Sequence, residues 1–217
     1  YGRTMLETAQ KIFDTHNIKY SSVSYERNSI DILQQIGTIE QSDADIVGLF
    51  TSPDVGKKIL QTIKDATIKS KQFFAPKDLS LAFVTTIIKD RAISCCIAGS
   101  FPNPLTSNLD IIKEFRENLK TAQLQTDLFT LEAYIAAKLF IDTVKKIQGP
   151  VNQETIIKAL ENIKDYTFKG LILNFNNENR QLLNTVWINT GKEEWVPIDL
   201  ATIEQITTTT PQTQQKP

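Results

Sequence analysis

The most constraining feature of this chain is the order in which two kinds of apolar pattern alternate through its first hundred or so residues. Met5, Leu6, Ala9, Ile12 and Phe13 recur at the spacing of one helix face, so residues 3–15 are predicted to form an amphipathic helix. Residues 18–25 then alternate in polarity, with Ile18, Tyr20 and Ser22 set against Lys19, Ser21 and Val23, and read as a strand. Ser29 is placed to cap a second helix carrying Ile32, Leu33, Ile36 and Ile39. Residues 45–50 form a compact apolar run of the kind found in a buried parallel strand. A turn follows at Thr51, Ser52, Pro53 and Asp54, with Pro53 suited to the first turn of a helix bearing Val55, Ile59, Leu60 and Ile63. Residues 71–75 read as a strand ended by Pro76, 79–88 as a helix despite four β-branched residues in a row, and 93–98 as a further buried strand. Strands and helices alternating through short connections imply an α/β fold, an open and mostly parallel sheet with helices on both faces. Such a fold normally places a strand before its first helix. Residues upstream of Tyr1 are therefore expected to belong to the natural fold.

The pattern changes after Gly99. Phe101, Pro102, Asn103 and Pro104 make an extended segment, because each proline restricts itself and its predecessor. Three helices follow without strands, over residues 107–122, 127–147 and 153–163, with Gly149 and Pro150 ending the second and Asn152 placed to cap the third. Strands are predicted at 171–175, 186–189 and 194–198, the last two joined by a hairpin turn at Thr190, Gly191 and Lys192. The chain divides on this reading into residues 1–100, 101–180, 181–203 and a tail, 204–217, whose Thr, Gln and Pro cannot bury apolar surface. The apolar faces carrying Ile111, Phe115, Leu131, Ile135 and Leu139 are expected to need a partner, either a homodimer or an accompanying fragment.

Residue chemistry argues against several functions. With 24 basic and 25 acidic residues the net charge is −1, and no basic block points to nucleic acid. The longest apolar candidate, residues 131–144, is interrupted by Glu132, Lys138 and Asp142 and is too short to span a bilayer. Cys95 and Cys96 are adjacent, point to opposite faces of a strand and lack the companions of a zinc site. The single histidine, His16, ends the first helix, a position that suits the helix dipole. There is no glycine-rich phosphate loop, and Asp43 with Asp45 and Glu193 with Glu194 lie at element boundaries where solvated carboxylates are ordinary. No catalytic residue, cofactor or metal is assigned. What remains is geometry. Ligands of open parallel sheets bind outside the carboxyl ends of the strands. Here that rim comprises residues 51–54, 76–78 and 99–104, together with Tyr1 and Gly2. It offers hydroxyls, helix N-termini and an aromatic ring, which suits a small polar ligand.

Four stretches follow one another along the chain: Tyr1-Gly2 opening a helix, residues 44–49 (ADIVGL), 72–76 (QFFAP) and 131–138 (LEAYIAAK). In this order they resemble the type I periplasmic solute-binding proteins, and among them the leucine/isoleucine/valine-binding group that feeds ABC transporters. The later run 156–160 (IIKAL), followed by 166–170 (YTFKG) and a closing hairpin, is similar too, so the resemblance covers residues 1–199. It implies two α/β lobes that close on a ligand about a hinge. In that frame residues 1–100 are the second lobe without its first strand. Residues 101–180 comprise a hinge crossing and helices returning to the first lobe, and 181–203 hold the closing strands.

The resemblance also implies a site. Tyr1 touches the ligand, with Gly2 beside it, and Thr51 or Ser52 follows the next strand. An acid after a later turn holds the ammonium group of an amino acid; the matching residue here is Lys77, with Asp78 next to it. Phe129 forms an aromatic wall before the long helix. A lysine would repel an ammonium, which favours an anionic ligand or a degenerate cleft. The expected function is capture of a small polar ligand, an amino acid or related carboxylate, outside the cytoplasmic membrane for an ABC permease. The alternatives are a ligand-sensing ectodomain on a membrane sensor and a protein-interaction module.

Overall fold

The computed structural model describes residues 2–27, 29, 31–189 and 195–199. They fall into two compact units, one holding the chain up to Gly99 together with Asn189, the other holding residues 100–188 and 195–199.

The first unit is built on three parallel strands, β1 (Ile46–Gly48), β2 (Gln72–Pro76) and β3 (Cys95–Gly99). Val47 lies opposite Phe73, and Phe73 opposite Cys95. One face of β2 and β3 is fully buried through Phe73, Ala75, Cys95 and Ile97, while the alternate residues are half-buried or exposed. Burial of each large side chain contributes on the order of 1.5–3 kcal/mol. Cys95 and Cys96 obey the same alternation, Cys95 inside and Cys96 half-exposed, and both are free thiols.

The helices α1 (Gly2–Thr15) and α3 (Pro53–Thr62) form where the apolar spacing places them, α3 with Pro53 in its first turn. Asn17 in the left-handed region ends α1 by letting the Ile18 N–H reach the Phe13 carbonyl at 2.8 Å. The helix α2 (Leu33–Gln41) starts later than expected, and Ser29 does not cap it. The Ser29 hydroxyl donates instead to the Asp31 carbonyl, and the buried Ile32 occupies the helix boundary. A short α4 (Asp65–Ser70) was not signalled by periodicity. The single helix predicted for 79–88 is split into a 3₁₀ turn (Lys77–Ser80) and α5 (Ala82–Asp90), because Leu81 takes an extended conformation. The β-branched Thr85 and Thr86 sit comfortably in α5, since both hydroxyls donate to the Ala82 carbonyl one turn back.

Residues 18–25 are not a strand. Their side chains alternate, but a strand is defined by a ladder, and among the described residues no neighbour pairs with this backbone. Ile18, Tyr20 and Val23 are exposed as a result.

The second unit is mainly helical. It contains α6 (Asp110–Ala122), α7 (Leu128–Lys146) and α8 (Gln153–Glu161). Asp127 and Asn152 cap α7 and α8 through reciprocal bonds with Thr130 and Thr155. A hairpin of β4 (Tyr166–Phe168) and β5 (Leu171–Leu173) follows. Its two-residue turn, Lys169 and Gly170, has φ of 47° and 94°, the left-handed pair that matches strand twist. β6 (Thr185–Asn189) and β7 (Val196–Asp199) pair antiparallel, with Val186 opposite Ile198. Tyr1, the predicted turn at Thr190, Gly191 and Lys192, Glu193 with Glu194, and the tail lie outside the described residues.

One expectation about packing is reversed. Ile111, Phe115, Leu131, Ile135 and Leu139 do not await a partner; all five are already buried. The side of α7 that stays exposed carries Ala133, Ala136, Ala137, Phe140 and Ile141 instead.

Candidate functional site

Parallel pairing brings the carboxyl ends of β1 and β2 to one edge of the sheet, and the segments leaving them form the candidate rim. β1 runs into Leu49, Phe50 and Thr51, and the Leu49 N–H donates to the Phe74 carbonyl at 2.8 Å. β2 runs into Lys77 and Asp78, the first residues of the 3₁₀ turn.

The first turn of α3 locks these two exits together. A Cβ on Gly56 would lie 2.8 Å from Leu79 Cδ2 and 3.4 Å from Thr51 Cγ2, so any larger residue would have to push the buried Leu79 aside. Gly2 opens α1 at the same edge, because a Cβ there would run into the Phe50 carbonyl oxygen. The Phe50 ring meets Phe74 edge-on, with centroids 5.5 Å apart.

Gly2, Thr51, Ser52, Lys77 and Asp78 therefore gather at one end of the first unit. Tyr1 lies outside the described residues. Phe129 belongs to the second unit, in the first turn of α7. Ser52 precedes α3, but its hydroxyl makes no capping bond and is exposed.

Thr51 differs from its neighbours. It is only 3% exposed, and its Oγ1 lies 2.5 Å from the phenol oxygen of Tyr25. Sequence reasoning missed Tyr25 as a rim residue. It ends the alternating segment 18–25, and counting the carboxyl end of that segment with the others would have found it.

Elsewhere polar clusters satisfy themselves. A groove of about 260 Å³ in the second unit is lined in part by Asp142, Lys146, Asn162 and Tyr166. There Asp142 accepts from the Tyr166 phenol at 2.7 Å and from Lys146 at 2.8 Å. The ammonium of Lys146 sits 4.1 Å from the Tyr166 ring centre. These bonds tie the end of α7 to β4 and hold the Asp142 carboxyl below its ordinary range. Lys146 is the leading cause and the Tyr166 hydroxyl adds to it. Burial pushes the Cys95 thiol up to about 12, with the neighbouring Cys96 adding to it, so Cys95 stays protonated and unreactive at neutral pH. Among the described residues no group of three His, Cys, Asp or Glu could hold a metal ion, and no helix is long and apolar enough to cross a membrane.

Comparison with known proteins agrees with this architecture. A branched-chain amino acid ABC transporter protein from Thermus thermophilus, solved with bound valine, shares 14% identity. The match covers 89% of this chain and 55% of that one, with a TM-score of 0.71. A possible leucine/isoleucine/valine-binding protein from Rhodopirellula baltica shares 18% identity over 83% of this chain and 52% of its own, with a TM-score of 0.67. A solute-binding protein from R. palustris in complex with benzoate shares 13% identity over 82% and 48%, with a TM-score of 0.62. At these identities the likeness shows the fold, that of the type I periplasmic binding proteins, and the chain spans about half the length of each of these structures. No curated protein gives a significant sequence match. The sequence profile of the family described as periplasmic binding protein, however, matches residues 1–193, nearly the whole chain, and with the shared fold this establishes that the chain belongs to the periplasmic binding protein family.

Proposed function

We propose that the chain is part of an extracytoplasmic solute-binding protein. In this reading it captures a small polar ligand, an amino acid or related carboxylate, by hinge closure and delivers it to an ABC permease without a chemical step. The observation that carries this reading is the family match over residues 1–193, joined to a fold shared with proteins solved with valine and with benzoate. Those two ligands have in common a carboxylate on a compact, largely apolar body. The rim described above suits such a ligand: a free hydroxyl at Ser52, a cation at Lys77 and an anion at Asp78, all at the carboxyl edge of the sheet.

The test is a thermal-shift panel of amino acids, small carboxylates and sugars against the protein expressed from its complete gene. A ligand at a hundred times its dissociation constant stabilises the folded state by about 2.7 kcal/mol, a rise of several degrees in melting temperature. One amino acid or carboxylate class is expected to give that rise, and Lys77→Glu to diminish it for anions. A flat response across the panel would overturn the reading.

A further inference from the structure

We propose that Tyr25 is a ligand-contacting residue of the rim and that Thr51 positions it, so that the phenol hydroxyl is held ready to donate to an oxygen acceptor such as a carboxylate. This rests on the solute-binding reading above and adds to it the residue and the ligand chemistry.

The Thr51 side chain is almost fully buried and its hydroxyl is bonded to Tyr25, so Thr51 is not itself open to a ligand. Two hydroxyls 2.5 Å apart share one hydrogen bond and have a second proton left over. If Tyr25 donated, that second proton would sit on Thr51 Oγ1, buried and without an acceptor, since Tyr25 is its only hydrogen-bonding partner among the described residues. A buried, unused donor is unfavourable. If Thr51 donates instead, the buried proton is satisfied and the spare one sits on Tyr25, which is only half-buried and can turn it outward. The pair therefore settles with Thr51 as donor and the Tyr25 hydroxyl as the outward-facing donor.

Its position fits that role. Thr51 follows β1 and packs against the first turn of α3 at Gly56, so Tyr25 is anchored to the most constrained part of the rim. The ring adds an apolar surface beside the donor. A small solute carrying a carboxylate on an apolar body uses both.

The experiment uses the protein expressed from its complete gene and isothermal titration with L-valine, L-isoleucine and benzoate. Thr51→Val keeps the shape and removes the anchor. It is expected to weaken the tightest of the three by about tenfold, the equivalent of one lost hydrogen bond to a charged group, while leaving the melting temperature of the unliganded protein nearly unchanged. Thr51→Ser restores the donor and should bind within about threefold of the parent. Tyr25→Phe should lose both affinity and some stability, because it leaves the Thr51 proton stranded. Tyr25 should also be nitrated by tetranitromethane in the free protein and protected by the bound probe. If the parent binds a probe while Thr51→Val and Tyr25→Phe bind it equally well, or nitration is unaffected, the role given to Tyr25 is overturned and the solute-binding reading stands. If the parent binds none of the three probes, the role given to Tyr25 toward a carboxylate on an apolar body is overturned, and the solute-binding reading falls with it only where the wider thermal-shift panel is flat too.

Discussion

At Arg91 a single guanidinium closes the end of α3. One nitrogen donates to the Leu60 carbonyl at 2.5 Å, another to the Ile63 carbonyl at 2.8 Å, and the second also pairs with Asp65. These carbonyls end a helix and would otherwise lack partners, and a cation there also meets the negative end of the helix dipole. Lys71 does the same for the approach to β1, its buried ammonium donating to the Ser42 and Ala44 carbonyls at 2.8 and 2.6 Å. Both links cross 26 residues or more, and neither follows from local pattern. Arg91→Ala is expected to lower the unfolding free energy by about 2–3 kcal/mol. Arg91→Lys should recover only part of that, because a lysine ammonium is a single point donor and lacks the spaced, planar fork with which the guanidinium reaches two carbonyls and Asp65 at once. Urea unfolding monitored by circular dichroism measures both, and an alanine variant within about 0.5 kcal/mol of the parent would contradict this role. The same distance in sequence hides the pairing of Tyr25 with Thr51. Each residue alone reads as the end of a strand and a turn, and only the fold brings the two hydroxyls together.

Between elements, Glu114 is the chief electrostatic link of the second unit. From α6 it accepts from Lys138 of α7 at 2.6 Å, from Tyr134 of α7 at 2.9 Å, and from Lys169 in the turn between β4 and β5. The hydrogen bonds from Lys138, then Lys169, hold its carboxyl at about 2, below its ordinary 4.5. A carboxyl depressed in the folded state stabilises fully above its unfolded value and loses that contribution as pH falls towards the folded one. The stability of this unit should therefore fall as pH drops from about 4.5 to about 2, by an amount that solvent screening limits to roughly 1 kcal/mol. Glu114→Gln should remove this part of the acid limb; melting curves between pH 2 and 7 that superimpose for parent and variant would contradict it.

The elements also show where the sequence was legible. Helical spacing around Ile59 and Leu60 and along residues 127–147, and the cap at Asn152, placed α3, α7 and α8 to within a residue or two, because those signals are local. Residues 18–25 failed because alternation describes a side chain's environment, whereas a strand needs a neighbour. The β4–β5 hairpin was missed because Lys169, with its Cβ, takes a left-handed conformation that sequence ordinarily reserves for glycine or asparagine.

For the whole molecule, the order of elements was the most legible property. Strands and helices alternating up to Gly99, then helices, then a terminal pair of strands, give the α/β class without any sharp motif, and the family itself is shown by the match over residues 1–193. The candidate site was legible only as a rim. Parallel pairing puts Thr51, Ser52, Lys77 and Asp78 at one edge, which element order foretold, but which of their groups face outward depends on packing that pattern does not carry. A binding protein of this family is proposed to work by closing on its solute, so the central claim concerns shape as well as affinity. Small-angle X-ray scattering of the protein expressed from its complete gene, with and without the solute class that raises its melting temperature, tests both together. The account predicts a measurable fall in radius of gyration on adding that solute and no change with the rest of the panel; an identical scattering curve in every solute would contradict it.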